Sequence, residues 1–253
     1  MRIRQGGAGL IISDFERRLD EAVPFSWAEE WDNVGLLLGD PGGVLRGVGV
    51  TLDPSLQAMR MASEMGCSAL VAHHPLFFSP IRRLNISEGV GACAAYAIRH
   101  GLSVFALHTN WDSSPIGVNS VIARKLGLQG ASPLVPSRLS WGSGAVGTLA
   151  GPMSPLECGG FIKNSLMLSR LELHGATDAP VVKIALCGGS GGALWREALA
   201  CGADAFFTAD MKYHDRLDAL EAGLRLFVAD HGEMENFTMK SLADVVSDAA
   251  GER

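Results

Sequence analysis

The chain has 253 residues, of which 47% are hydrophobic and 19% are charged, and its formal net charge at pH 7 is −6. This length is enough for one large domain or two modest domains with well-buried cores. The negative net charge argues against a general affinity for nucleic acid. No uninterrupted apolar run is long enough to span a bilayer, so we expect a globular protein that is not embedded in a membrane.

The cysteines and the N-terminus indicate the compartment. Five cysteines are scattered through mostly apolar segments without CxxC spacing, which predicts buried free thiols in a reducing environment. The basic segment Met1–Arg4 is followed by an apolar stretch that is short and soon reaches Asp14. That pattern does not fit a signal peptide, and we therefore expect a cytoplasmic protein.

The first half of the chain alternates predicted helices with predicted strands. Apolar residues at helical spacing run from Ile12 to Val23 and stop at Pro24. The predicted strands that follow are 48–52, 69–73 and 102–107, and the predicted helices are 56–65, 88–100 and 115–126. A strand–helix alternation with short links is typical of a mainly parallel sheet that is flanked by helices.

A stretch rich in Gly, Ser and Pro, residues 129–143, predicts a domain boundary. Further predicted strands follow at 145–150, 170–174, 181–187, 205–208 and 224–229, with a helix at 154–166. Because the last strand and helix carry candidate metal ligands, we expect them to return to the first domain. We therefore predict an α/β fold of two intertwined domains, 1–128 plus 223–253 and 129–222.

Two adjacent histidines, His73 and His74, follow the apolar strand that begins at Ala69. In α/β proteins the carboxyl ends of strands are the places where ligands bind. Side chains alternate along an extended segment, so we expect the two imidazoles to diverge. One metal ion would not easily bind both of them, whereas two neighbouring ions could each bind one.

Two more apolar strands end in residues of the same kinds. One runs into His108 and Asp112, and the other into His231 and Glu235, which are four residues apart and share a helix face. A carboxylate has two oxygens and can bridge two ions. Imidazole together with carboxylate suits Zn, Fe, Mn or Ni and does not choose among them. The convergence of three strand ends predicts a dinuclear metal site.

Each of these features also has an ordinary structural explanation. Adjacent histidines occur by chance in many chains, and His108 could order its loop by bonding a backbone carbonyl. His231 and Glu235 could form a solvated helix start, because acidic residues favour the first turn. The glycine-rich segment 188–192 lacks the Lys-Ser/Thr of a P-loop. We prefer to interpret it as a tight, closely packed turn, while a phosphate cradle is the alternative.

Four segments together resemble the NIF3-like family, whose members are also named type 2 homologues of GTP cyclohydrolase I. The segments are WDNVGLLLGD at 31–40, AHHPLFF at 72–78, HTNWD at 108–112 and the late His231-x-x-x-Glu235. The resemblance covers essentially the whole chain. One departure concerns a Thr-Gly-Glu segment with two histidines that is frequent in the family. Here Asp210 replaces the Glu, and His214 is the one histidine kept.

The resemblance implies a specific ligand set and assembly. It implies two divalent ions per chain, held by His73, His74, Asp112, His231 and Glu235. His74 and Asp112 would bind one ion, His73 and His231 the other, and Glu235 would bridge them. We expect this metal site in the cleft between the two domains. The resemblance also implies a ring-shaped homohexamer.

Two functions fit such a site. In a metal-dependent hydrolase, two ions would activate a water, Glu235 would hold both ions, and His108 or His214 would act as general acid or orient the substrate. The substrate is then expected to be small and anionic or nucleotide-like, because two divalent ions outweigh two carboxylates. The alternative is a non-catalytic metal-binding scaffold or a regulatory or metal-handling protein, whose metal coordination would be saturated by protein ligands.

Overall fold

The computed structural model describes residues 1–4 and 9–251. The chain divides into two compact units: unit 1 is Met1–Trp111 with Met239–Arg253, and unit 2 is Asp112–Thr238. Among the described residues, none of the helices combines the length and the apolar character that a membrane span requires.

Unit 1 is built on a five-stranded sheet. Its strands are β1 (Arg2–Arg4), β2 (Gly35–Leu38), β3 (Gly47–Thr51), β4 (Ala69–Ala72) and β5 (Ser103–Ala106), in the spatial order β1-β3-β4-β5-β2. Its helices are α1 (Ile12–Ala22), α2 (Leu56–Glu64), α3 (Gly89–His100), α4 (Thr109–Asp112, whose last residue opens unit 2) and α10 (Met239–Ala250). A single 3₁₀ turn, Phe25–Trp27, follows α1.

Helices cover both faces of this sheet, because successive apolar side chains of its buried strands point to opposite faces and both faces must be buried. Val104 joins a core cluster with Met59 of α2 and Ala97 of α3. The next residue, Phe105, lies on the other face, where its ring meets the ring of Phe15 from α1 edge-on at 5.4 Å between centroids. The central strands β4 and β5 are therefore buried throughout, as expected for strands with helices on both sides.

Unit 2 is built on a six-stranded sheet and a small two-stranded sheet. The large sheet contains β6 (Gln129–Ser132), β9 (Ala145–Met153), β10 (Leu171–His174), β11 (Val181–Leu186), β12 (Ala205–Thr208) and β13 (Arg225–Ala229), in the order β10-β13-β12-β11-β9-β6, while β7 (Val135–Pro136) pairs with β8 (Gly142–Ser143). The helices are α5 (Val118–Lys125), α6 (Pro155–Leu166), α7 (Trp195–Ala200, after a 3₁₀ turn at Gly191–Leu194), α8 (Tyr213–Glu221) and α9 (His231–Asn236).

The core of unit 2 also has two sides. Phe206 packs in a cluster with Trp195 of α7 and Ala219 of α8. On the other face of the sheet, Phe227 packs against α6 so closely that a Cβ at Gly159 would lie 3.2 Å from its ring. The predicted α/β class, with sheets flanked by helices, is therefore confirmed in each unit separately.

The sheets are mixed rather than mainly parallel. In each one, three central strands are parallel, β3-β4-β5 in unit 1 and β11-β12-β13 in unit 2. The strands outside these triplets pair antiparallel. The alternation of strand and helix patterns along the sequence identifies strand–helix–strand units, whose strands pair parallel. It does not show which of the remaining strands pair at the edges of the sheet.

The last strand does not return to the first sheet as we expected. β13 lies between β10 and β12 in the sheet of unit 2, where Leu226 and Phe227 are fully buried. The second unit accordingly extends over Asp112–Thr238 instead of 129–222, and only α10 returns to unit 1. We expected the strand in the first sheet because candidate metal ligands follow it, but its position is decided by backbone pairing with β12.

Candidate metal centre

The strand ends of unit 1 bring three imidazoles together. His73, His74 and His108 each offer a ligand atom within 4.8 Å of the others. The backbone N–H of His73 donates to Thr51 O at 3.1 Å and that of His74 to Leu52 O at 3.0 Å, so both residues stay attached to the strand beside them. The two rings do not diverge, since their centroids are 5.0 Å apart. The chain bends directly after β4, and the alternation rule for extended segments no longer applies there.

Each of these imidazoles has an oxygen acceptor at its Nδ1 atom. The acceptors are Leu107 O for His73 at 2.9 Å, Asp53 Oδ1 for His74 at 2.8 Å and Asp32 Oδ1 for His108 at 2.8 Å. An acceptor at Nδ1 selects the tautomer that carries its proton there, which leaves the lone pair on Nε2. Histidines that bind metals commonly have this outer support, which sets ring orientation and raises ligand basicity.

Asp32 supports His108 from a fully buried position. Besides His108, it accepts hydrogen bonds from the backbone N–H and the hydroxyl of Thr109. Burial alone would raise the pKa of Asp32, but the hydrogen bonds from His108 and Thr109 lower it to about 2. A carboxylate with this pKa is ionised at neutral pH, so it holds the Nδ1 proton of His108 in place.

The HTNWD segment is shaped by its own polar side chains. The backbone N–H of His108 donates to Asn110 Oδ1 at 2.9 Å, and Asn110 Nδ2 donates to Val23 O at 3.1 Å. Trp111 N closes a turn onto His108 O at 2.8 Å. Asn110 and Trp111 are completely buried. These contacts explain why the short helix α4 starts directly after the histidine.

In unit 2, His231 lies between two carboxylates. Its Nε2 atom is 2.9 Å from Glu235 Oε2, and its Nδ1 atom is 2.6 Å from Asp210 Oδ2. The hydrogen bond with Glu235 raises the pKa of His231 to about 9, and the bond with Asp210 adds to this effect against the opposing influence of burial. The spacing of four residues therefore places both side chains on one helix face as expected, and the surroundings favour a positive charge.

A tight glycine turn packs directly against this pair. Gly189 has φ +61°, and a Cβ on it would lie 2.2 Å from Glu235 Oε1 and 3.1 Å from His231 Nε2. The next residue, Ser190, donates its hydroxyl to Asp210 Oδ2 at 2.8 Å. The close packing that we preferred for the 188–192 segment is therefore confirmed. Its glycine allows backbone to approach the histidine and the glutamate where a side chain would not fit.

Asp112 lies near Glu235, since a carboxylate oxygen of each is within 4.8 Å of the other. Both acidic groups also act on Cys187. Burial raises the pKa of that thiol to about 12, and the charges of Asp112 and Glu235 add to the effect. Cys187 also belongs to none of the potential metal-binding groups found in the part of the chain that the structure describes. The donors in unit 2 are nitrogen and oxygen atoms, a set that suits Zn, Fe, Mn or Ni.

His214 stands apart from these groups. It lies in the first turn of α8, is exposed, and its ring contacts that of Tyr213 edge-on. It belongs to none of the potential metal-binding groups found in residues 1–4 and 9–251. Its proposed part in acid catalysis therefore receives no support from its position within unit 2.

Sequence reasoning missed three carboxylates that orient the histidines. Asp32 lies in the WDN segment, Asp53 follows β3, and Asp210 follows β12. Asp210 was noted only as a departure from the family pattern. The sequence signal for these carboxylates is weak: Asp53 and Asp210 each lie two residues after a strand, and Asp32 directly follows Trp31. The pairing of each carboxylate with its own histidine depends on contacts between distant segments.

The chain is similar to known proteins along nearly its whole length. The model of the family described as Duf34/NIF3 (NGG1p interacting factor 3) matches residues 10–252. A "GTP cyclohydrolase 1 type 2 homolog" of Lactococcus lactis is 36% identical over 218 residues, 84% of this chain and 82% of that protein. A protein of Clostridium perfringens with the same name is 30% identical over 226 residues, 88% of this chain and 86% of that protein.

A solved structure shares the fold. The crystal structure of Staphylococcus aureus protein SA1388 superimposes with a TM-score of 0.88 at 29% sequence identity, covering 95% of this chain and 92% of that one. The likeness extends over both units, so the α/β arrangement described above is that of an existing group of proteins.

We predict that Gly189→Ala weakens metal binding at His231 and Glu235. The added Cβ would lie 2.2 Å from Glu235 Oε1, and the carboxylate must move away to make room for it. We expect metal affinity to fall roughly ten-fold or more, the loss typical of disturbed ligand support. A competition titration of zinc against a chromogenic chelator measures this effect.

Gly202→Ala is the matched control. Gly202 has φ +75°, but a Cβ there would have nothing within 4 Å. Both variants therefore place an alanine in the left-handed backbone conformation, which costs about 1–2 kcal/mol. Only Gly189→Ala also crowds the carboxylate of Glu235. Equal metal affinities in the two variants would contradict the prediction.

We predict that Asp32→Asn lowers the stability of the protein. An amide cannot accept from His108 and Thr109 at once without placing its own N–H₂ against one of these donors. The expected loss is about 1–3 kcal/mol in the free energy of unfolding, measured by urea denaturation. Chelator competition then reports whether His108 is a ligand, because metal affinity falls roughly 10–100-fold only if Asp32 supports a metal-binding imidazole.

Asp53→Asn provides the comparison. Asp53 holds His74 in the same way, but its side chain is 65% exposed, so solvent can satisfy the amide. This variant should weaken metal binding with little effect on unfolding. An Asp32→Asn protein as stable as the wild type would contradict the prediction.

Proposed function

The chain belongs to the Duf34/NIF3 family, and from this premise we propose that it is a metal-dependent hydrolase with two divalent ions per chain. The groups His73–His74–His108 in unit 1 and His231–Glu235 in unit 2 can hold a metal ion by their chemistry and spacing. The number of ions, the catalytic role and the substrate class are parts of the proposal.

One observation carries the proposal: every histidine of these groups has an oxygen acceptor at Nδ1. Three of the four acceptors are carboxylates. The exposed His100 also has an oxygen acceptor at Nδ1, Tyr96 O at 2.8 Å, so a backbone carbonyl alone does not mark a ligand. A carboxylate acceptor, which fixes the tautomer and the ring plane, is typical of histidines that bind metals. Its presence at three histidines argues against the ordinary explanations, in which each would be a loop or helix-start residue.

We propose the ligand assignment that the resemblance implies. His74 and Asp112 would hold one ion, His73 and His231 would hold the other, and Glu235 would serve both. The buried side chain of Glu235 is 3% exposed, and its carboxylate has two oxygens for the two ions. The proximity of Asp112 and Glu235 within unit 2 supports a shared role for these carboxylates.

Ions in these positions would supply Lewis acidity and a water that is deprotonated near neutral pH. The chain's own residues then have to move protons and orient the substrate. His108 is suited to this because its Nδ1–H is held by ionised Asp32, so its Nε2 atom can take up or release a proton. The buried Asn110 accepts from the backbone N–H of His108 at 2.9 Å and so holds the turn that carries the imidazole.

The charge of the ligand set favours an anionic substrate. Two divalent ions bring four positive charges, and Asp112 and Glu235 bring two negative charges, while the histidines are neutral as ligands. About two positive charges remain on the ions, close to the reacting atoms. They would outweigh more distant negative charges of the protein, because the Coulomb interaction weakens with distance. The name "GTP cyclohydrolase 1 type 2 homolog" that relatives carry agrees with a small, nucleotide-like substrate.

A non-catalytic role is the second candidate, and one contact favours it. If His108 ligates with His73 and His74, whose rings lie 5.3 and 5.8 Å from its own, one ion gains another protein ligand and loses an open position. A saturated ion serves structure or metal handling rather than catalysis. The coordination number of the bound metal separates the two functions.

We predict about two metal equivalents per chain in the purified protein, as a two-metal centre requires. His74→Ala should lose at least one of them, because removing an imidazole removes a ligand. Elemental analysis by mass spectrometry measures both values, and anomalous scattering at the metal edges identifies the ions. The exposed His100→Ala is the control and should keep both. Identical metal contents in His74→Ala and wild type would refute the assignment.

We predict hydrolysis by the metal-loaded protein of at least one member of a panel of phosphoesters, nucleotides and cyclic amides. Glu235→Gln should abolish it, because an amide does not bridge two cations. His214→Ala tests whether the exposed His214 acts as a general acid. This variant should reduce turnover only if that histidine takes part in acid catalysis. A metal-replete protein that turns over none of the panel supports the scaffold function instead.

A further inference from the structure

Two exposed aromatic rings lie beside the three imidazoles of unit 1 and have no part in the metal chemistry. Trp31 and Phe78 are each 58% exposed, and their ring centroids are 5.5 Å apart at an interplanar angle of 51°. Both rings also contact the imidazole of His108 edge-on, each with a centroid distance of 6.2 Å. Two large aromatic side chains exposed side by side form an apolar patch, and such patches often mark ligand-binding sites or protein interfaces.

Hydrogen bonds fix these rings to the histidines. Asp32, the residue after Trp31, holds His108 through Nδ1, and Asn33 Nδ2 donates to Phe77 O at 2.8 Å, one residue before Phe78. The turn that carries Trp31 is closed by Asp32 N donating to Glu29 O at 2.9 Å. The WDN segment therefore connects the loop after β4 to the loop after β5. The rings keep a defined position relative to the imidazole.

From this arrangement we propose that Trp31 and Phe78 form a stacking platform for a planar heteroaromatic ring of the substrate. The proposal rests on the proposed hydrolase function and names the substrate class for the same site. A ring on the exposed face of Trp31 would lie next to His108, so that the rest of the molecule could reach the metal ligands. Aromatic side chains bind such rings through their π faces without requiring a particular pattern of hydrogen-bonding groups.

A second copy of the chain is the rival occupant. The hexamer that the resemblance implies would need a surface to bury, and exposed apolar side chains continue along the same loop at Ile81, Leu84 and Ile86. The two rings would be a small fraction of the roughly 800 Å² that each partner buries in a standard interface, so such an interface would have to extend well along that loop. The direct contact of both rings with His108 favours a ligand of the metal centre.

The test uses calorimetric titration of the metal-loaded protein with inosine 5′-monophosphate and with ribose 5-phosphate, which lacks the ring. Trp31→Ala should weaken the binding of inosine 5′-monophosphate roughly 5- to 100-fold, the range for loss of one base–aromatic stack. The binding of ribose 5-phosphate should not change. Trp31→Phe, which keeps a π face, should restore most of the affinity.

Three results would overturn the proposal. One is equal affinity of wild type and Trp31→Ala for inosine 5′-monophosphate, including the case in which neither binds it. Another is a parallel loss of ribose 5-phosphate affinity. The third is a change of oligomeric state in Trp31→Ala by light scattering, which would assign the rings to a protein interface. Metal content and ribose 5-phosphate binding report separately on the hydrolase proposal, so failure of the platform leaves that function testable.

Discussion

The hydrogen bond at the Nδ1 atom of each histidine is the interaction on which the candidate ligands of both units depend. An imidazole has two nitrogens, and a ligand histidine needs its proton on one of them and its lone pair on the other. Here a backbone carbonyl serves His73, and Asp53, Asp32 and Asp210 serve the other three histidines. Because three of these acceptors are ionisable, the outer carboxylates also add negative charge around the cations that the histidines would bind.

The carboxyl ends of parallel strands place these groups. In unit 1, β3, β4 and β5 are neighbours, and their continuations supply Asp53, the paired histidines and His108. In unit 2, β11, β12 and β13 are neighbours, and the glycine turn, Asp210 and His231 follow them in the same way. Each unit therefore positions its own candidate ligands by the same physical rule, in which a buried sheet holds short polar loops at one edge.

The loop after β12 brings Asp210 to His231 in an uncommon backbone conformation. Asp210 is the residue that the resemblance marks as a departure from the usual Glu. Its backbone adopts φ +46°, one of two positive values among the described non-glycine residues. Asp tolerates this region better than most residues. The hydroxyl of Ser190 bonds the same carboxylate oxygen, and the pKa of Asp210 is lowered by these hydrogen bonds.

The sequence by itself determined most of the central strands and their helices, the α/β class and the principal ligand candidates, because the spacing of apolar residues and the residues at strand ends are local properties of the chain. The i, i+4 pairing of His231 with Glu235 was predictable for the same reason. The sequence did not reveal the edge strand Gly35–Leu38 or the short strands within 129–143. Only the tertiary structure decided that β13 belongs to the second sheet, that His73 and His74 lie ring to ring after a bend, and that Asp32 lies beneath His108. These depend on strand pairing and on contacts between residues far apart in the chain, and no local pattern encodes which acidic residue will reach which imidazole.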